Sequence, residues 1–251
     1  MLWHKALAET RWRFLAGLII LSCNVIVIVM FWPRVQAMLP AETANVDLSG
    51  AFGQQLQEAL ELSRDYRGYI WSQLFDNNLL KMAVLFAALL GSGNLLSPKP
   101  GELFTLSLPV KRSRLVLVRA LTALGQLLVL AVLPSLLISL LSPSVLKSYS
   151  VTDGVTHGFS LFFGAAVVLA AAMFFSSLAD DLRKPLLLTL GAAVGLYFAE
   201  EAGHFTGLFH VMSGKLYFES GQIAWIPLAA AATAAAVFLF GATVNASRRD
   251  Y

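Results

Sequence analysis

Residues 97–114 read SPKPGELFTLSLPVKRSR, a short polar and basic interruption between two apolar runs, 79–96 and 115–141. Each run is long enough to cross a hydrocarbon layer about 30 Å thick as a helix. Pro98 and Pro100 stop the first run, and Gly101 permits a sharp change of direction. Leu103, Phe104, Leu106 and Leu108 then give the excursion an apolar face, and Lys111, Arg112 and Arg114 close it before the second run begins. Basic residues in short loops stay on the cytoplasmic side. The segment is therefore expected to be a cytosolic loop fused to two spans, so that a push on it moves both.

The rest of the chain has the composition such a loop requires. Of 251 residues, 57% are hydrophobic and 13% charged, and the mean hydropathy is +0.70. A soluble domain carries about twice that share of charge. A chain this apolar satisfies its backbone inside helices and lets lipid cover its side chains. The formal net charge of +3 gives no reason to expect a nucleic-acid partner. Cys23 is the only cysteine and lies in the first apolar run. No intrachain disulfide is possible, and the thiol reads as a small packing residue.

Six spans are expected, over 14–32, 79–96, 115–141, 159–178, 185–199 and 223–244, giving an all-α membrane protein with a single transmembrane domain, 1–251. The first run is longer than a signal-peptide core and lacks a small-x-small site after it, so it reads as a retained anchor. Pro134 is expected to kink the third span. The fifth is short and runs into Glu200 and Glu201, as either a little-tilted span or a broken, re-entrant segment would. With the N-terminus inside, Lys5, Arg11, Arg13, Lys99, Lys111, Arg112, Arg114, Arg183, Lys184, Arg248 and Arg249 fall in or beside short cytoplasmic segments. The opposite side receives Arg34, Arg64, Arg67, Lys147 and Lys215, and both termini are expected in the cytosol.

Two amphipathic elements flank the first span. Residues 1–13 mix Leu2, Trp3, Leu7 and Trp12 with Lys5, Arg11 and Arg13, the composition of an interfacial elbow helix or, alternatively, of a positive flank that anchors the first span. In the loop 33–78, Phe52, Leu56, Leu60, Tyr66, Ile70 and Leu74 recur at mostly four-residue steps. Gln54, Gln55, Gln57, Glu58, Glu61, Arg64 and Asp65 fill the other positions, which predicts an external amphipathic helix between the first two spans.

Polar groups in or beside the spans are Asn24, Lys81, Asn94 and Gln126, read as structural groups that bond across helices, or for Lys81 snorkel, with pathway residues facing a cavity at a dimer axis as the alternative. Glu200, Glu201, His204 and His210 cluster after the fifth span, and Glu200 and His204 are one helical turn apart. A zinc site needs three or four ligands, so the expectation is a solvated external loop and no metal. Gly191 and Gly195 form a small-xxx-small pair that permits close helix approach.

The stretch 77–124, with NNLL, an apolar span and then GELFTLSLPVKRSRLVLVRAL, resembles the second and third helices and intervening coupling loop of type-2 ATP-binding-cassette (ABC) permeases. The resemblance covers about a fifth of the chain. It implies an exporter permease of a bacterial inner membrane that pairs with a second copy or a homologous permease and docks on two ATP-binding subunits. Glu102, Phe104, Leu106, Pro109, Lys111, Arg112 and Arg114 would then meet the ATPase, and Gly191 and Gly195 the permease dimer partner. Short external helices between the last two spans are also implied. No cofactor is expected in this chain, because ATP and magnesium would sit on the partner. The only Gly-Lys pair, Gly214-Lys215, is followed by Leu216 and has Phe209 where a phosphate-binding loop needs its first glycine, so the chain is expected to be no enzyme by itself.

Two other classes share parts of this pattern. An ATP-independent channel, carrier or scaffold would share the six spans. An intramembrane protease is motivated by Glu200-Glu201, but Phe205 stands where the corresponding motif requires arginine, and Ser92 lacks a histidine partner motif.

Overall fold

The computed structural model describes residues 2–39, 60–92, 112–179, 183–203 and 205–248. Every regular element among them is a helix. In chain order these are α1 (Leu2–Met38), α2 (Tyr66–Gly91), α3 (Arg112–Leu141, followed by a 3-10 turn Ser142–Val145), α4 (Val151–Leu178), α5 (Arg183–Gly203), α6 (Leu208–Ser213), α7 (Lys215–Ser220) and α8 (Trp225–Arg248). Six of them, α1 to α5 and α8, are long and apolar enough to cross a membrane.

α4 is the axis of the bundle. Its apolar stretch is the most buried of the six, and α2, α3, α5, α6 and α8 all pack on it. Glycines set how close they come. A β-carbon on Gly154 would lie 2.9 Å from the Ser135 carbonyl oxygen of α3, and one on Gly158 3.1 Å from the Val132 Cα. α3 and α4 thus meet backbone to backbone, the geometry small residues allow where lipid supplies no hydrophobic drive. At the other end of α4, Gly91 of α2 abuts Leu169 and Ala172 in the same way.

Helix α1 buries one stripe, Gly17, Leu21, Val25, Val29 and Trp32, at three- and four-residue steps. Its other faces expose Ile19, Ile20, Val27 and Met30, as lipid contact demands. α5 is barer still, burying only Pro185, Thr189, Ala193 and Glu200.

Several expected boundaries move. Residues 2–38 form one continuous helix, about 55 Å long at 1.5 Å per residue, with no break marking off an elbow at 1–13. Pro33 does not end it. α2 begins at Tyr66 rather than at 79. Tyr66, Ile70 and Leu74, assigned by periodicity to the external helix, therefore belong to this span, while Phe52 and Leu56 lie outside the described residues. The reason is Trp71–Asn78, WSQLFDNN, which is wound as a π-helix. Its Trp71, Leu74 and Phe75 are buried, and four of its five polar residues turn to a cavity, so its mean polarity hides a span.

α4 begins at Val151, not 159, because the Ser150 hydroxyl accepts from the Thr152 N–H and caps it. α5 runs unbroken through Glu200 and Glu201 to Gly203, so it is no re-entrant fragment. Two short helices, α6 and α7, do occupy the connection between the last two spans.

Candidate functional site

Side-chain contacts define two ends of the bundle. At the end holding residues 2 and 248, the Arg13 Nη1 donates to the Leu89 carbonyl oxygen at 2.8 Å, and Arg119 pairs with Glu9 at 2.9 Å. Gly17 lies against the Phe86 ring, where a β-carbon would sit 3.0 Å from the nearest ring carbon. The start of α1 therefore grips the last turn of α2 and the early turns of α3, the two flanks of segment 93–111. Asn245 of α8 ties in by donating to the Ser177 carbonyl and hydroxyl oxygens of α4.

Of the residues expected to meet an ATPase, Glu102, Phe104, Leu106, Pro109 and Lys111 lie outside the described residues. Arg112 opens α3, and Arg114 is exposed in its first turn. Around them the described residues carry Lys5, Arg11, Arg13, Arg119, Arg183, Lys184 and Arg248, with Glu9 the only carboxylate. The opposite end reverses the balance: Glu61, Asp65, Asp153, Glu200, Glu201 and Glu219 face Arg34, Arg64, Arg67, Lys147 and Lys215.

That opposite end is closed by α6 and α7. The Trp71 indole N–H donates to the Ser213 carbonyl oxygen at 3.0 Å, and the ring stacks on Phe218 at 4.5 Å. Asp153 accepts from the Tyr217 hydroxyl at 2.7 Å and pairs with Arg67 at 3.3 Å. Burial and the Asp153 carboxylate keep the Tyr217 hydroxyl above the usual tyrosine range, and burial does the same for Tyr149. Gly214 joins the two short helices at φ 64°, a conformation that favours glycine, and a β-carbon there would lie 2.5 Å from the His157 Nδ1. His157 itself is buried and stacked on Phe75. Met212 fills the notch left by Gly164 of α4. Gly164 is about 20 Å along α4 from Val151 at 1.5 Å per residue, so α6 reaches well into the bundle.

Glu200 holds α6 in place. Only 2% exposed, its carboxylate accepts from the Phe209 N–H at 3.0 Å and lies 3.4 Å from His210 Nδ1. The expected solvated loop is thus corrected: Glu200 is buried at the end of α5, because the unpaired N–H groups opening α6 need an acceptor. Glu200→Ala should destabilise the protein by about 1–3 kcal/mol by leaving that donor unsatisfied, read as a lower melting temperature in detergent. His204 lies outside the described residues, and no group of three His, Cys, Asp or Glu suited to a metal occurs among the described ones.

Of the polar span residues, Lys81 bonds Asn77 one turn away instead of a neighbouring helix. Asn24 Oδ1 and Gln126 Oε1 have no hydrogen-bond partner among the described residues, so the interhelical bonds expected of them are not formed there. Asn94 lies outside the described residues. A β-carbon on Gly191 or Gly195 would meet nothing within 4 Å, so these glycines face away from the rest of the chain.

Between α2, α5, α6 and α7 lies a cavity of about 1040 Å³. Sequence reasoning missed it, because its walls come from residues as far apart as Asp76 and Glu219. The one signal was WSQLFDNN, five polar side chains interleaved with large apolar ones.

No family model, curated protein or solved structure matches the chain. Its class rests on its own architecture: an all-helical, multi-pass membrane protein with six candidate spans.

Proposed function

We propose that the chain is the membrane-spanning subunit of an ATP-driven exporter, of the type-2 ABC permease kind, working with a separate ATP-binding subunit in a bacterial inner membrane. The observation that carries this reading is the double grip of α1 on the flanks of segment 93–111, through Arg13 to Leu89 and Glu9 to Arg119. A loop whose two ends are tied to one another and to a third helix passes an applied displacement to all three. The excess of Lys and Arg at the same end supports a cytosolic position for that loop and for both termini. There residues 2–13, which continue the first span without a break, carry α1 into the headgroup layer.

The open face of α5 around Gly191 and Gly195 is where a second permease copy would pack. ATP and magnesium belong to the ATPase, and this chain contributes no catalytic group.

Co-expression with the ABC ATPase encoded nearest its gene is the test. The two proteins should co-purify. Reversing Lys111, Arg112 and Arg114 together to glutamate should weaken the complex at least about tenfold, since like charges replace attraction at the contact. Failure to co-purify, or labelling of a cysteine at 111 only from outside the cell, would overturn the reading.

A further inference from the structure

We propose that the cavity at the α6–α7 end is a binding site for an organic cation with an aromatic or otherwise apolar body. Its volume of about 1040 Å³ is at the upper end of the range of drug-sized ligand sites. Two aromatic pairs form part of the wall: Trp71 stacked on Phe218 at 4.5 Å, and Tyr197 edge-on to Phe209 at 5.3 Å. Phe218 is already stacked on Trp71 and carries the Arg67 guanidinium 5.7 Å from its centroid, so the ring open to a cation or an apolar body is Tyr197, 38% exposed.

The π-helical winding supplies a separate argument. π segments concentrate at functional sites, and this one brings Ser72, Gln73, Asp76 and Asn77 to the cavity while Leu74 and Phe75 stay in the core. Asp76 is an acid inside a candidate span, its side chain exposed on the cavity wall. Such a group is expensive at membrane depth and marks a pathway or binding residue by default.

The sign of the ligand follows from the remaining side chains. Of the acids lining the cavity, Glu200 is committed to Phe209 and His210, Glu219 to Lys215 and Asp65 to the Gly68 N–H, which leaves Asp76, Glu201 and Glu61 to set the sign. Anions are repelled by such walls. A bare metal ion is disfavoured too, because no three ligating side chains converge among the described residues. An organic cation uses both the charge and the Tyr197 ring. Assigning it as the exporter's cargo rests on the function proposed above, but binding does not, since it needs no ATPase.

Tetraphenylphosphonium, a monovalent cation with four phenyl rings, is a suitable probe. Isothermal titration of the purified full chain in non-ionic detergent at low salt should show saturable binding. Asp76→Asn and Glu201→Gln should each weaken it by about tenfold, and Lys215→Gln should tighten it by about threefold, as removal of an attractive or repulsive charge from a partly screened site requires. The gain on Lys215→Gln cannot come from misfolding, so it guards against variants that merely unfold. Wild-type affinity in both acidic variants would overturn the proposal, as would the absence of saturable binding. So would equally tight binding of the isosteric anion tetraphenylborate. Loss of ATPase association with cation binding intact would strike only the transport reading.

Discussion

Gly91→Leu is expected to leave little folded protein. A β-carbon at this position would lie 2.5 Å from the Leu169 carbonyl oxygen and 2.7 Å from the Ala172 Cβ. Neither can yield, because both belong to the backbone or first side-chain atom of α4, on which most of the bundle packs. Overpacking by a few methylenes already costs about 1–3 kcal/mol where side chains can shift. Here two helices must separate, and a loss above about 3 kcal/mol follows. The monodisperse fraction and melting temperature after purification in detergent measure it. Gly191→Leu is the matched control, because its β-carbon meets open space and the fold of the single chain should be unchanged. If α5 is the permease dimer face, that same control will reduce cross-linking between copies. A wild-type melting temperature for Gly91→Leu would mean that α2 and α4 are not in backbone contact.

Trp71→Ala should free α6 and α7 from the bundle. The indole is 6% exposed, stacks on Phe218, and donates to the Ser213 carbonyl oxygen. Truncating a buried tryptophan removes about 3–5 kcal/mol through lost packing and an unfilled cavity. Trp71→Phe keeps most of the ring and forfeits chiefly the hydrogen bond, a change of about 1 kcal/mol. The expected order is wild type, phenylalanine, alanine in melting temperature. In alanine, limited proteolysis should appear between residues 205 and 222. Equal behaviour of the two variants would show that the stack contributes nothing to anchoring the short helices.

These two positions also show what the sequence can convey. Six long helices were legible, since runs such as LVLVRALTAL have no stable alternative in lipid. The boundaries were not. Polarity at WSQLFDNN and at VTDGVTH reads as loop, yet the first faces a cavity and the second presents Asp153 to Arg67 and Tyr217. A hydropathy window cannot tell water from a polar neighbour. Gly154-xxx-Gly158 has the same four-residue spacing as Gly191-xxx-Gly195, yet only the first pair makes close contacts within the chain, because spacing says nothing of which face is turned inward. Glu200 and His210 were visible in one cluster, with His204 as the expected neighbour of Glu200, but the service of Glu200 to the N–H of Phe209 and its contact with His210 depend on a short helix folding back. The basic residues of 97–114 were the plainest feature of the chain, and only Arg112 and Arg114 fall among the described residues.

The seat of Met212 in the notch at Gly164 binds the histories of two distant positions together. A lineage that acquires any side chain at 164 keeps α6 inserted only if residue 212 has already shrunk, and one that enlarges 212 is barred from losing the glycine. Among descendants of this gene the two sites should change in pairs, smaller for larger, or not at all.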